Sequence, residues 1–171
     1  EGEVHWYAVT LAKGQSLVVE AEGMRTGTAF LDTHLEIRDP SGKLVTQADD
    51  SPLTRQDALV EFKALSDGKH TIALRDSNLG GSENASYILH IGSFFRPLFM
   101  HPAGGKPGLT LKTNAYDSTG ARPVELKLPA GAQGTIPVWL AGPDGQSPCP
   151  NLVRVTNHEP VLETQSTPPA A

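Results

Sequence analysis

Three aspartates flank one predicted hairpin, and they are the residues best suited to binding a metal ion. Asp32 precedes the run T-H-L-E-I-R, and Asp49 and Asp50 follow the run K-L-V-T-Q-A. The D-P-S-G between these runs predicts a tight turn, because proline presets φ at the second position and glycine tolerates the return of the chain. A hairpin closed by this turn brings the three carboxylates together at its open end. Like charges so placed repel one another unless a cation or water separates them.

Two interpretations of these aspartates stay open. In the first interpretation they bind calcium, which takes about six to eight oxygen ligands. The protein would supply Asp32, Asp49 and Asp50, with Ser51 as a weak ligand. Backbone carbonyls or water would have to supply the rest. In the second, Asp49 and Asp50 are turn residues that accept hydrogen bonds from backbone N–H groups. The ligand count favours turn chemistry over a cation site.

Other chemistry has little support in the sequence. The histidines lack the paired spacing of a zinc site; they are His5, His34, His70, His90, His101 and His158. No G-x-S-x-G occurs, and Cys149 lies between two prolines, with no helix N-terminus to lower its pKa. We therefore expect a chain that is not an enzyme.

Composition narrows the class of protein. The formal net charge is −5 and no basic patch appears, so nucleic acid is not an expected partner. No apolar run approaches the ~20 residues that span a bilayer, and the opening Glu1-Gly2-Glu3 is unlike a secretory leader. A single cysteine excludes an internal disulfide, while 17 glycines and 14 prolines indicate short strands and many turns.

The hydrophobic pattern has a period of two, which is typical of half-buried strands. Predicted inward stripes are Leu17, Val19 and Ala21; Ala58, Val60 and Phe62; His70, Ile72 and Leu74; and Tyr87, Leu89 and Ile91. Trp6, Tyr7 and Tyr87 are expected in the core, and no segment repeats with the period of a long helix. These stripes predict an all-β fold, an antiparallel sandwich or jelly roll.

A change of composition after Gly92 predicts a domain boundary. Residues 1–92 form the sandwich, residues 93–158 a smaller β domain, and residues 159–171 a flexible linker rich in proline and threonine. Trp139 is out of phase with its apolar stripe, so we expect it to contact the first domain, with a ligand as the alternative.

The first 92 residues resemble the bacterial pre-peptidase C-terminal domain, a β-sandwich module found beside secreted peptidases and in large surface proteins. The resemblance rests on the order and spacing of several pieces: V-H-W-Y-A-V-T-L-A-K-G-Q-S-L, L-D-T-H-L-E-I-R-D-P-S-G-K-L, A-D-D-S, S-D-G-K-H-T-I-A-L-R-D and Y-I-L-H-I-G. The run F-M-H-P-A-G-G-K-P-G resembles the start of an immunoglobulin-like segment, as in large exported planctomycete-type proteins. His5, where an acidic residue is usual, and His70, where tyrosine is usual, depart from the family pattern.

The resemblance implies a non-catalytic binding or spacer module of a larger exported protein in an extracytoplasmic setting. Its alternatives are calcium-dependent binding of a polysaccharide or fibrous protein, and an accessory role beside a secreted peptidase. In related collagen-binding modules calcium is held by a lead-in segment and an acidic loop, and here Asp32, Asp49 and Asp50 correspond to that loop. The family's first strand would lie upstream of Glu1, so we expect neighbouring domains or a partner chain to complete the first sheet.

Overall fold

The computed structural model describes residues 2–158, and its regular structure is almost entirely β-strand, as predicted. The strands are β1 Val4–Leu11, β2 Ser16–Glu22, β3 Thr33–Arg38, β4 Leu44–Ala48, β5 Leu59–Lys63, β6 Gly68–Asp76, β7 Ile88–Gly92, β8 Phe99–His101, β9 Gly104–Gly105, β10 Thr110–Asp117, β11 Gly120–Lys127, β12 Gly134–Val138, β13 Ala141–Gly142, β14 Gly145–Gln146 and β15 Asn151–Val155. Among residues 2–158, a single 3-10 turn spans Met24–Thr26. Within the described residues, no helix has the length and apolar character needed to cross a membrane.

The described residues form two compact units. The first contains residues 2–98 and 140–148, and the second contains residues 99–139 and 149–158. The predicted division at residues 92 and 93 stays a prediction, and the predicted linker over 159–171 lies outside the described residues.

The first unit contains two larger antiparallel sheets, with strand orders β1-β6-β3-β4 and β5-β2-β7, and the short two-stranded sheet β13-β14. The predicted stripes of β2, β5 and β6 supply buried core residues, namely Leu17, Val19, Ala21, Ala58, Val60, Phe62, His70, Ile72 and Leu74. Tyr7, Tyr87 and Leu89 pack against this core. The apolar faces of the two sheets therefore form the hydrophobic core of the first unit.

Two side chains predicted to face inward are exposed instead. Trp6 is 57% exposed and Ile91 is 38% exposed. Trp6 alternates with Tyr7 and Val9, which pack on the core, so its side chain must leave the opposite face of β1. Ile91 lies near the end of β7, an edge strand, where less of the core covers it.

The second unit contains two three-stranded sheets, with orders β11-β10-β8 and β12-β15-β9. Strand β9 runs parallel to β15, and Gly104 lies opposite Arg154. A Cβ atom at Gly104 would collide with the carbonyl oxygen of Arg154, so this close approach requires glycine. The core of this unit includes Leu111 and Ala115 of β10 and Val153 of β15, whereas Trp139 is 49% exposed.

Candidate functional site

The predicted hairpin forms and is closed by an Asp-Pro-Ser-Gly turn. Strands β3 and β4 pair antiparallel, with Leu35 opposite Ala48. At the turn, Asp39 Oδ1 accepts hydrogen bonds from Ser41 N at 2.9 Å and Lys43 N at 3.0 Å. The hydrogen bond from the Ser41 hydroxyl, followed by these two backbone hydrogen bonds, lowers the pKa of Asp39 below its usual value. Gly42 takes a positive φ of 86°. This register puts the residues before β3 and after β4 at the same end of the sheet.

A fourth aspartate, which the sequence analysis missed, reaches the same end. Thr33 of β3 lies opposite Asp76 of β6, so Asp76 ends its strand beside Asp32. The backbone N–H of Ser77 donates to the carbonyl oxygen of Asp32 at 2.6 Å. We call the set Asp32, Asp49, Asp50 and Asp76 the acidic rim.

The acidic rim is electrostatically unfavourable as it stands. Burial, and then the negative charges of Asp50, Asp49 and Asp76, raise the pKa of Asp32. The Oδ1 atoms of Asp32 and Asp76 are buried and have no hydrogen-bond partner within the described residues. A buried acceptor without a donor costs about 1–3 kcal/mol, and more when it is charged. A bound cation would relieve both the repulsion and the missing bonds.

The geometry of the rim is not that of a closed calcium cage. Among residues 2–158, no three rim carboxylates bring oxygens within 4.8 Å of one another. Oxygens on one calcium ion lie at most about 5 Å apart, because each is ~2.3–2.6 Å from the ion. The exposed Asp49 and Asp50 would therefore have to move toward the two buried oxygens.

The turn interpretation is seen for part of the rim. Asp49 Oδ1 accepts a hydrogen bond from Asp50 N at 2.9 Å, and Asp49 Oδ2 accepts one from the Ser77 hydroxyl at 3.4 Å. The Ser51 hydroxyl is buried and shares a 2.7 Å hydrogen bond with the Thr54 hydroxyl. Ser51, the predicted weak ligand, is thus held by Thr54, and Asp76 takes its place among the candidate ligands.

A cavity of about 450 Å³ with mixed polar and apolar lining adjoins the rim at Asp76. Its lining includes Glu3, His5, Arg75 and Tyr87. The Tyr87 hydroxyl is hydrogen bonded to both the Tyr7 hydroxyl and His5 Nδ1, and His5 Nε2 lies 2.9 Å from Glu3 Oε1. Burial, followed by the Tyr7 hydrogen bond, raises the pKa of Tyr87 well above its usual value.

The cavity has no activated nucleophile among its described residues. His5 is bonded to Tyr87 and Glu3 rather than to a serine or cysteine. Ser82, which also lines the cavity, accepts a hydrogen bond from the Asn84 backbone N–H at 3.3 Å. This arrangement can hold a polar ligand, but it lacks the nucleophile–base pair that covalent hydrolysis requires.

An ionic network around the buried carboxylates of Glu20 and Asp57, which could not be predicted from the sequence, holds the 3-10 turn against the second sheet of the first unit. Asp57 Oδ1 accepts hydrogen bonds from Gly23 N at 2.8 Å and Met24 N at 2.7 Å. Arg25 Nε donates to Asp57 Oδ2 at 2.6 Å, and Arg25 Nη1 donates to Glu20 Oε1 at 2.8 Å. The loop is thereby fixed by charged groups rather than by apolar packing.

Arg96 completes this network from beyond β7. Its Nε donates to Glu20 Oε2 at 2.6 Å and its Nη2 donates to Glu20 Oε1 at 3.0 Å. Glu20 is 0% exposed and Arg96 is 3% exposed. Burial alone would raise the pKa of Glu20, but the hydrogen bonds and charges of Arg96 and Arg25 outweigh it and lower that pKa.

The facing antiparallel sheets define the first unit as a β-sandwich domain. Residues 3–76 match the family model of the bacterial pre-peptidase C-terminal domain, which confirms the resemblance over strands β1 to β6. This is a family of non-catalytic accessory domains that occur in exported bacterial proteins. No curated protein matches the chain.

Proposed function

We propose that the chain is a non-catalytic binding or spacer module of a larger exported bacterial protein. The observation that carries this proposal is the match of residues 3–76 to the family model of the bacterial pre-peptidase C-terminal domain. An extracytoplasmic location and an immunoglobulin-like second unit belong to the same proposal. Its partners are neighbouring domains of the polypeptide, or a chain that completes the first sheet at β1, an edge strand. A role beside a secreted peptidase is the form that the family description favours.

An activity screen of the purified chain tests the non-catalytic part of this proposal. Peptide, ester and glycoside substrates are expected to show no turnover above buffer. Hydrolysis that follows the protein through purification and disappears when the chain is unfolded would contradict the proposal.

A second candidate function is calcium binding at the acidic rim. It is favoured by the buried and unpartnered Oδ1 atoms of Asp32 and Asp76, which would act as the first ligands. The exposed carboxylates of Asp49 and Asp50 would close on the ion from the solvent side. Calcium then serves to fix the loop end of the sandwich and the wall of the adjoining cavity.

Calorimetric titration with calcium, together with thermal melting in chelator-treated buffer, tests this site. A cation that binds only the folded state stabilises it by RT ln(1 + [L]/Kd), about 2.7 kcal/mol at a hundredfold excess over Kd. Asp32→Asn and Asp76→Asn should abolish the heat and the shift in Tm. Asp144→Asn, at an exposed aspartate of the same unit, should retain both. Absence of heat and of a Tm shift at millimolar calcium would contradict the site.

A further inference from the structure

The outer face of the β1-β6-β3-β4 sheet carries a strip of charged and polar side chains around one exposed tryptophan. Strand pairing puts Trp6 beside Ala73, Ala73 beside Glu36, and Glu36 beside Gln47. The flanking outward positions are Arg75 and His34 on one side and Thr71 and Arg38 on the other. We call these residues, with Lys69, the outer strip.

The outer strip is wide enough for a polymer. Adjacent strands lie ~4.8 Å apart, so Trp6 and Gln47 are separated by about 14 Å across the four strands. Trp6 is 57% exposed, and its neighbour Ala73 is too small to cover the indole. The indole ring is therefore open to solvent on a rigid sheet rather than on a loop.

Glu36 and Arg38 on β3 form an ion pair, whereas the buried Nε2 of His34 has no hydrogen-bond partner within the described residues. Arg38 Nη2 donates to Glu36 Oε2 at 2.6 Å, and His34 Nε2 lies 3.8 Å from Glu36 Oε1. The His34 side chain is 12% exposed. Burial, and then the charge of Arg75, lower the pKa of His34, so the imidazole is neutral at physiological pH. The charges of Glu36 and Arg38 offset each other.

Two cationic side chains of the strip, Arg75 and Lys69, can still donate hydrogen bonds to a ligand. Arg75 Nη1 donates to the carbonyl oxygens of Asp76 and Ser77, both at 3.1 Å, and its Nε and Nη2 groups make no hydrogen bond within residues 2–158. Lys69 is exposed and lies opposite Thr10. The strip is thus net positive on a chain whose formal net charge is −5.

From this arrangement we infer that the outer strip binds an anionic polysaccharide, with a sugar ring stacked on Trp6. The face of the indole is electron-rich and attracts the C–H groups of a pyranose face. Uronate or sulfate groups of the next sugars meet Arg75 and Lys69, because arginine forms paired hydrogen bonds with such oxyanions. This inference rests on the proposed binding function and gives it a ligand class, and it uses no residue of the acidic rim as a calcium ligand.

A protein partner fits the strip less well. Stable protein interfaces bury about 800 Å² on each side and have an apolar, densely packed centre. The face offers two large apolar side chains, Trp6 on β1 and Leu44 opposite Arg38 on β4, which are separated by charged and small residues. A sugar ring needs one apolar platform bordered by hydrogen-bonding groups, and that is the composition found here.

Binding to alginate, a polyuronate, measured by calorimetry in chelator, tests the inference. Dextran serves as the neutral polymer and poly-L-glutamate as an acidic polymer without sugar rings. Alginate should bind, poly-L-glutamate at least tenfold more weakly, and dextran not measurably. Trp6→Ala should weaken alginate binding on the order of tenfold, and Trp6→Phe by less, because a smaller aromatic platform remains. Trp139→Ala, at the comparably exposed tryptophan of the second unit, should leave binding unchanged.

Lys69→Gln tests the role of charge. It should weaken alginate binding a few fold and reduce the dependence of binding on salt concentration. Melting of each variant shows that the fold is kept. Absence of alginate binding, equal binding of poly-L-glutamate, or full binding by Trp6→Ala would overturn the inference. Such a failure leaves the calcium response and the absence of hydrolysis untouched, so it is distinguishable from failure of the proposed function.

Discussion

Replacing Arg96 by methionine is expected to destabilise the first unit strongly. The substitution keeps much of the apolar volume but removes both hydrogen bonds to Glu20, at 2.6 and 3.0 Å. Loss of one partner from a buried ion pair costs about 3–5 kcal/mol. Arg25 still bonds to Glu20, so we expect the lower end, about 3 kcal/mol, or a fall in Tm of roughly 10–20 °C.

Chemical denaturation of the wild type and of Arg96→Met measures this loss directly. Arg38→Met is the matched control, because the Arg38–Glu36 pair has the same 2.6 Å distance but its side chains are 34% and 20% exposed. That pair should be worth less than about 1 kcal/mol. A loss below 1 kcal/mol for Arg96→Met, or equal losses for both variants, would refute the role given to burial.

The pH dependence separates charge from packing. In the wild type the pKa of Glu20 is lowered, so its contribution is present above the unfolded-state pKa of about 4.3 and is lost as pH falls through the folded-state value. In Arg96→Met we expect the pKa of Glu20 to lie above its wild-type value, because only Arg25 then opposes the effect of burial, so that variant should lose less stability on acidification. The stability gap should be full above about pH 5 and narrow below about pH 4. A constant gap would mean that the contribution of Arg96 does not depend on the charge of Glu20.

Three further predictions concern the cavity, the second unit and the rim. Tyr87→Phe should lower the free energy of unfolding by about 1 kcal/mol, because Tyr7 and His5 each lose a hydrogen-bond partner. The control Tyr116→Phe, in the stacked pair of the second unit, should lower it by less than about 0.5 kcal/mol, and equal losses would contradict the hydrogen-bond chain. Gly104→Ala should destabilise the second unit by more than about 2 kcal/mol in thermal melting, whereas the control Gly131→Ala should be tolerated because a Cβ there meets no other atom. Unchanged stability of Gly104→Ala would contradict the close approach of β9 and β15. In chelator at neutral pH, Asp32→Asn should raise Tm by a few degrees, because it removes a partly buried negative charge from a cluster of negative charges. A lower Tm would show instead that the Asp32 carboxylate stabilises the fold.

Local features of the fold could be predicted from the sequence, and features set by distant pairing could not. The hairpin of β3 and β4 follows from a turn motif and a period of two, both of which act over a few residues. Asp76 was missed because its place beside Asp32 depends on the register of β6 against β3. Arg96 was missed because its partner Glu20 is 76 residues away and no local pattern links them. The orientation of Trp6 was predicted wrongly because an aromatic residue in a strand can face either way until its neighbours fix the alternation.

The claim that the acidic rim is the ion site of this module is tested most directly by calorimetric titration of the wild type and Asp76→Asn with calcium. Asp76 is the rim residue that the structure adds, and its buried Oδ1 has no hydrogen-bond donor within the described residues. We predict a saturable heat with one ion per chain for the wild type and none for Asp76→Asn, with melting confirming that both are folded. Identical titrations for the two proteins, or no heat from the wild type at millimolar calcium, would contradict the claim.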